Sequence, residues 1–343
     1  MSNSSLETIV TNAWRKRGPL ACALWPVALL FRALSAIRAR LYRSGTLAST
    51  RLPVPVIVVG NIFIGGTGKT PLTIWLAEAL QAAGFTPGII SRGHGGDGVA
   101  PREVARDARA RDVGDEPLLM ARRTGCPVVV GRQRAAAGLA LLAAHPHVDV
   151  IIADDGLQHY ALQRDIELML FDGRGVGNGW LLPAGPLREP PSRRRDFTIV
   201  NAPLISAQLA AQVGGAPFQM QLLGTFAERL AAPHERVALA SLRGQRLAAA
   251  AGIGNPGRFF AMLTTAGLAF AARPLPDHHD FRDDPFSGLD ADVILITEKD
   301  AVKCGQIENL KNDPRLWVVP VTAHIDAALA AQIVEKCRGS SPV

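Results

Sequence analysis

VPVIVVGNIFIGGTGKT, residues 54–70, decides how this chain folds. Residues 54–60 form an unbroken apolar run, the pattern of a parallel strand buried on both faces. The run passes through Asn61 into FIGGTGKT, residues 63–70. A helical pattern follows from Pro71 to Ala83 and is closed by Gly84. Pro71 suits a first helical turn, where a missing N–H costs nothing. Strand, glycine-rich loop and helix together make the context of a phosphate-binding loop. Glycines let main-chain N–H groups close around phosphate oxygens, and the helix N-terminus adds its dipole. On this reading Phe63, Ile64, Gly65, Gly66, Thr67, Gly68, Lys69 and Thr70 hold the phosphates. Lys69 reaches the β- and γ-phosphates, and the Thr70 hydroxyl ligates Mg²⁺. The motif usually opens with glycine, and here Phe63 stands in that place. The bland alternative is a glycine-rich turn capping a helix.

Outward from the loop, apolar runs alternate with helical patterns. Residues 87–91, 127–130, 148–153 and 166–171 read as strands, and 115–124 and 132–144 as helices. Residues 101–112 read as a strand edge or surface loop. The alternation predicts a doubly wound parallel sheet with helices on both faces. The strand at 148–153 ends in Asp154-Asp155, where a Mg²⁺ partner of the loop is expected. A turn or N-cap pair is the competing reading of those two. Residues 173–191 are rich in Gly and Pro and read as a linker or a functional loop. Beyond them the rhythm resumes at 197–201, 237–241, 258–266, 293–297 and 316–319, with a closing helix near 327–337. The fold expected is α/β: a P-loop NTPase-type doubly wound sheet, a second, smaller α/β domain and an N-terminal amphipathic helical segment. The divisions expected are 1–45, 46–190 and 191–343.

Composition narrows the class. Of 343 residues, 48 % are hydrophobic and 20 % charged, which excludes a disordered chain. No run of about 18 uninterrupted apolar residues occurs, which excludes a multi-span membrane protein. The four cysteines include no CxxC pair, so neither a disulfide framework nor a zinc site is indicated. Residues 1–51 carry Arg15, Lys16, Arg17, Arg32, Arg38, Arg40, Arg43 and Arg51 against Glu7 alone. Their net +7 is the net charge of the whole chain, so the remainder balances. A localised cationic segment argues for one anionic partner and against a nucleic-acid-binding face.

The same segment is apolar. Residues 20–31, LACALWPVALLF, are uncharged, and a second helical stretch follows Arg32. Twelve residues are too few to cross a hydrocarbon core of about 30 Å. A secretory signal, a buried core helix and an interfacial helix meeting anionic lipid through residues 14–43 all fit the pattern. A nucleotide loop immediately downstream weighs against secretion. The Thr297–Asp300 string TEKD lacks the spacing of a guanine reader, and Ile64 replaces the lysine of membrane-targeting P-loop ATPases.

Eight strings then resemble one family. VGNIFIGGTGKTP (59–71), ISRGHGG (90–96), VGDEPLLMA (113–121), VIIADDGLQH (150–159), PAGPLREP (183–190), GIGNPGRFF (252–260), DHHDF (277–281) and TEKDAVK (297–303) occur in the order found in tetraacyldisaccharide 4'-kinases. The resemblance runs from about residue 14 to residue 321. It implies transfer of the γ-phosphoryl group of MgATP to the 4'-hydroxyl of a lipid A disaccharide precursor. It also implies a place at the cytoplasmic face of the inner membrane of a Gram-negative bacterium. Asp115 matches the family's catalytic carboxylate and His278 its partner; Arg188 matches an arginine near the transferred phosphate. Glu189 and Gln158-His159 lie in matching strings, as metal or acceptor support. His94 stands where the family carries tyrosine. Local sequence alone also permits Asp115 as a helix N-cap, His278-His279 as a surface turn, and Arg188-Glu189 as a surface charge pair. The competing function is a nucleotide-switched membrane adaptor.

Overall fold

The structure is a computed structural model that describes Trp14, residues 16–93 and residues 100–339. His94 lies outside the described residues. The main sheet is built on β1 (Val56–Gly60), β2 (Pro87–Ser91), β4 (Val128–Val130), β5 (Val150–Asp154), β6 (Ile166–Asp172), β7 (Phe197–Asn201) and β8 (Phe218–Leu223). These run parallel, with β3 (Arg102–Glu103) and β15 (Thr322–Ile325) as antiparallel edges. The spatial order is β15-β8-β7-β6-β1-β5-β2-β4-β3. From β1 the chain winds to one side through β2 and β4, returns by β5, and continues on the other side from β6. That reversal places a crevice at the carboxyl end of β1, where α/β sheets bind ligands.

Alternate residues of the strands serve two apolar layers. Ile57 and Val59 of β1 face one core, with α2 (Lys69–Ala82), α4 (Asp115–Thr124) and α10 (Ala327–Gly339) laid over it. Val56 and Val58 face the other, under α5 (Arg134–Ala144) and α6 (Ala207–Val213). Each fully buried aliphatic side chain here stabilises the fold by roughly 1.5–3 kcal/mol relative to exposure. A four-residue helix, α3 (Ala110–Val113), leads into α4.

The second sheet comprises β9 (Phe226–Arg229), β10 (Ala232–Ala238), β11 (Leu247–Ala251), β12 (Ala271–Pro274), β13 (Val293–Thr297) and β14 (Leu316–Val319), in the order β10-β9-β14-β13-β11-β12. It carries α7 (Pro256–Thr265) on one face, and α8 (Glu298–Cys304) and α9 (Glu308–Lys311) on the other. The second α/β unit expected from sequence is therefore present. Its limits differ from the expected division at residue 190. Strands β7, β8 and β15 belong to the main sheet, so the second unit is an insertion between β8 and β15. The strand expected at 237–241 is the end of β10 running into a 3₁₀ turn, Leu239–Leu242. The real neighbour strand is β11, whose LAAAA sequence has little strand propensity but is buried throughout.

N-terminal to the main sheet lies α1 (Pro19–Arg43), one continuous helix despite Pro26. At 25 residues it is long and apolar enough to cross a membrane by length and composition, which the twelve-residue uncharged run did not suggest. Only Ala21 and Ala28 are fully buried, which overturns the core-helix reading. The helix rests on the protein through Ala21, Leu24, Ala28, Phe31, Ser35, Ala39 and Tyr42, a run of three- and four-residue steps.

Candidate active site

The phosphate loop follows β1 as expected. Asn61, fully buried at the strand end, is its organiser. Its Nδ2 donates to the Phe63 carbonyl at 2.6 Å, the Gly65 carbonyl at 3.3 Å and Thr67 Oγ1 at 3.0 Å, and its Oδ1 accepts from Lys69 Nζ at 3.2 Å. Gly65 and Gly68 adopt φ of 100° and 102°, a backbone that L side chains rarely take. A Cβ on Gly68 would also lie 2.5 Å from Asn201 Nδ2, which itself donates to the Thr67 carbonyl at 2.9 Å. The main-chain N–H groups of Gly65 through Thr70 donate to no acceptor among the described residues. A ring of unpaired donors at a helix N-terminus is an anion cradle. Phe63 needs no glycine geometry: it is absent from the positive-φ residues, and its ring lies under the Arg174 guanidinium at 4.3 Å.

The Asp pair at the end of β5 is split by its surroundings. Asp154 is buried and accepts from Ser91 Oγ at 3.0 Å and Thr73 Oγ1 at 3.5 Å. Burial, helped by Glu116 and Asp155, pushes its carboxyl up to about 6. Asp155 takes a left-handed backbone, φ 48°, and turns toward the loop. Burial opposes its ionisation, but Lys69 at 3.6 Å and Arg188 at 3.3 Å outweigh it and hold the carboxyl below its ordinary range. Lys69, Asp155 and Arg188 are thus brought together, and Arg188 is no mere surface pair with Glu189. Glu189 has a different place. Its two oxygens accept from Gln158 at 2.9 Å, Tyr160 at 2.7 Å and Arg193 at 2.7 Å, so it braces Gln158 beside Arg188 rather than presenting a free carboxylate to a metal. His159 accepts from the Arg134 main chain at 3.2 Å, and burial followed by three neighbouring arginines lowers its imidazole to about 4.

Asp115 and His278 lie 163 positions apart and meet: His278 Nδ1 is 3.1 Å from Asp115 Oδ2. Asp115 opens α4, but Gly114 is the N-cap and no side chain caps the helix. Asp115 Oδ1 accepts from the Glu116 N–H at 2.9 Å instead, which removes the capping reading. Lys303 Nζ approaches Asp115 Oδ2 to 3.3 Å. Burial opposes ionisation of Asp115, yet His278, Lys299 and Lys303 together hold its carboxyl far below the ordinary carboxylate range. His278 does sit in a turn, with φ 59°, anchored by its N–H to the Gly252 carbonyl and to Asp277 Oδ1. The hydrogen bond to Asp115 raises its imidazole above the ordinary value, against burial and Lys299. Asp155 and His278 share the left-handed region with Phe281 and Asp284 among the described non-glycine residues.

The two carboxyl edges face each other. A Cβ on Gly254, in the loop after β11, would stand 2.7 Å from the Gly66 nitrogen. Arg258 reaches across to the Thr67 carbonyl at 3.2 Å and to Asp172 at 2.9 Å. Sequence reasoning did not single out Asn61, Asn201, Arg174, Arg258, Lys299 or Lys303. The signals available were slight: Asn61 ends a buried strand, and Lys299 and Lys303 share a helix face at four-residue spacing. TEKD proves to be a cap, since Thr297 Oγ1 accepts from the Asp300 N–H at 3.2 Å.

The chain is similar to known proteins over nearly its whole length. The family model for tetraacyldisaccharide-1-P 4'-kinase matches residues 20–338. A tetraacyldisaccharide 4'-kinase from Herminiimonas arsenicoxydans is 60 % identical, covering 99 % of this chain and 98 % of that one. Another from Azoarcus sp. (strain BH72) is 48 % identical, covering 96 % and 95 %. The LpxK crystal structure from Aquifex aeolicus, an "apo" form in complex with ATP, has a TM-score of 0.75 at 28 % identity, covering 92 % of this chain and 99 % of that one. With a cradle, an Asp–His pair and a family match that spans nearly every described residue, the chain belongs to the tetraacyldisaccharide-1-P 4'-kinase family.

Proposed function

We propose that the chain transfers the γ-phosphoryl group of ATP to the 4'-hydroxyl of a tetraacylated glucosamine disaccharide 1-phosphate, a step of lipid A biosynthesis. The observation that carries the reading is the Asp115–His278 contact, made between two units whose carboxyl edges meet at the phosphate loop. Main-chain N–H groups of residues 65–70 and Lys69 hold the triphosphate. Arg188 lies beside Asp155, where a fixed cation offsets charge on the departing phosphoryl group. Asp115 accepts the hydrogen bond of the sugar hydroxyl, aims it at the γ-phosphorus and takes the proton as transfer proceeds. Its low basicity suits a loose transition state, in which the nucleophile needs orientation more than early deprotonation. His278 steadies Asp115 through Nδ1.

The donor set fits Mg²⁺. Asp155 supplies an ionised, partly exposed carboxylate, Asp154 a second carboxyl behind it, and Thr70 a hydroxyl at the first turn of α2: hard oxygen ligands beside a phosphate cradle. Those residues would hold the ion, which would supply charge neutralisation to the phosphates when bound. The acceptor reaches the site from a membrane surface. The outer face of α1 exposes Val27, Leu30, Leu34 and Ile37, each more than half exposed, among the arginines of the same helix.

The test is to incubate the pure protein with γ-labelled ATP and the disaccharide lipid. Label is expected in the organic phase for the unaltered chain, with no lipid-dependent ADP release for Lys69→Ala or Asp115→Ala. Release of inorganic phosphate with unlabelled lipid would return the adaptor reading. Wild-type turnover by Asp115→Ala would remove Asp115 from the mechanism.

A further inference from the structure

The second nitrogen of His278 also has a neighbour. Lys299, at the start of α8, places Nζ 3.5 Å from His278 Nε2, 3.0 Å from Glu116 Oε1 and 3.1 Å from Asp277 Oδ1. It therefore joins α4 of the main unit to the 275–280 turn of the inserted unit. The side chain is only 13 % exposed, and two carboxylates keep the ammonium charged. An ammonium offers donors and no lone pair. Nε2 has a carboxylate oxygen, Asp277 Oδ1, at 3.9 Å as well, beyond hydrogen-bond reach, so the nearer ammonium makes Nε2 the acceptor and the proton of a neutral His278 resides on Nδ1, 3.1 Å from Asp115. With Nε2 filled, His278 has no lone pair for the substrate hydroxyl. Asp115 Oδ2 is shared by His278 and Lys303, while Oδ1 accepts from one main-chain N–H and retains a lone pair.

We propose that Lys299 is the positioning residue of this pair: its ammonium, held between Glu116 and Asp277, fills Nε2 of His278 and fixes the tautomer whose Nδ1–H points at Asp115. The hydroxyl proton is thereby assigned to Asp115 and not to His278. The proposal rests on the kinase reading given above, since it allots a role within that reaction.

The charges facing His278 set the sign of its pH behaviour. Asp115 from α4 and Asp277 from its own turn favour the imidazolium, while Lys299 from α8 opposes it; Glu116 and Lys303 lie one contact further out. Removing the Lys299 charge lets protonation of His278 occur at higher pH. An imidazolium draws charge from Asp115 and weakens its hold on the hydroxyl, so the acidic limb of kcat moves upward.

The experiment pairs kinetics with ¹⁵N spectra of histidine-labelled protein. In the unaltered chain at pH 8, Nε2 of His278 is expected to resonate as an unprotonated nitrogen and Nδ1 as a protonated one. In Lys299→Met the acidic limb of kcat is expected to move up by about one pH unit, a roughly tenfold loss at a fixed pH on that limb that more alkaline pH recovers. KM for both substrates should stay within about twofold, the mark of a change felt in the chemical step. Lys299→Arg restores the limb, because it returns a cationic donor. Arg123→Met serves as a control: it breaks the Arg123–Glu298 pair that also fastens α8 to α4, and the limb should not move. A proton on Nε2 in the unaltered chain overturns the proposal. An unmoved limb in Lys299→Met, or an equal movement in Arg123→Met, overturns it too. Failure of the unaltered chain to label lipid would instead sink the kinase reading, and the nitrogen spectra would still decide the tautomer.

Discussion

Asn61 is a side chain with one job, and its loss is informative. It satisfies two carbonyls and a hydroxyl inside the phosphate loop and receives Lys69. Asn61→Ala leaves those buried groups unpaired, at a cost of about 1–3 kcal/mol that falls on the loop's bound conformation. Nucleotide affinity measured by calorimetry is expected to fall by about tenfold or more, with the lipid KM little changed. Asp115→Asn tests the other half of the site. It keeps the shape of the contact with His278 but removes the acceptor charge, so kcat should fall by roughly 10²–10⁴ while nucleotide affinity holds. Unchanged kcat would place Asp115 outside the chemistry. The loop residues were legible because their chemistry is contiguous in sequence. Asp115 and His278 were legible only as members of ordered strings, since nothing local tells a carboxylate which distant turn will fold against it. Asn201 and Arg258 were not legible at all: each reaches the Thr67 carbonyl from a remote element.

At the scale of the element, α1 separates two faces that composition had merged. The apolar run and its arginines were visible, and so was the helical step. Its full length was not, because Arg32 reads as an end when charge is counted along a line, whereas an interfacial helix tolerates a cation on its flank. Leu30 and Leu34 are 59 % and 58 % exposed and touch no core, so Leu30→Glu with Leu34→Glu should leave the melting temperature nearly unchanged. The same pair removes apolar area and adds negative charge on a face argued to meet anionic lipid. Cosedimentation with vesicles containing anionic lipid should drop by about tenfold or more. Ala28→Glu, on the docked face, is expected to do the opposite: lower the melting temperature by burying an unpaired charge. Equal vesicle binding by the double variant would show that α1 does not carry the membrane contact.

For the whole molecule, the decisive fact is that the inserted unit leaves and rejoins the main sheet at adjacent strands, β8 and β15, which pair antiparallel. Periodicity finds strands but not partners, so a Gly/Pro-rich stretch at 173–191 looked like a boundary, when it packs Leu181, Ala184 and Leu187 into the main unit. Two short connections, residues 224–225 and 320–321, then carry the inserted unit, and its position depends on contacts across the cleft. One of them sets the Gly254 backbone against that of Gly66. Gly254 has no positive φ, so alanine is acceptable to its backbone, and the objection is steric: the new Cβ would stand 2.7 Å from the Gly66 nitrogen and 3.1 Å from both Gly66 Cα and Asp277 Oδ2. Gly254→Ala is therefore a wedge between the two units at the mouth of the phosphate loop. If that contact persists during turnover, nucleotide affinity and kcat should fall together, each by about tenfold, because the wedge displaces both a cradle N–H and the turn that carries His278. Gly257→Ala, three residues on and inside α7, meets nothing closer than 3.5 Å and should be neutral or slightly stabilising. Calorimetry and steady-state kinetics on the two variants separate the cases: equal behaviour would mean that the units part during catalysis and that Asp115 and His278 meet only in the resting enzyme.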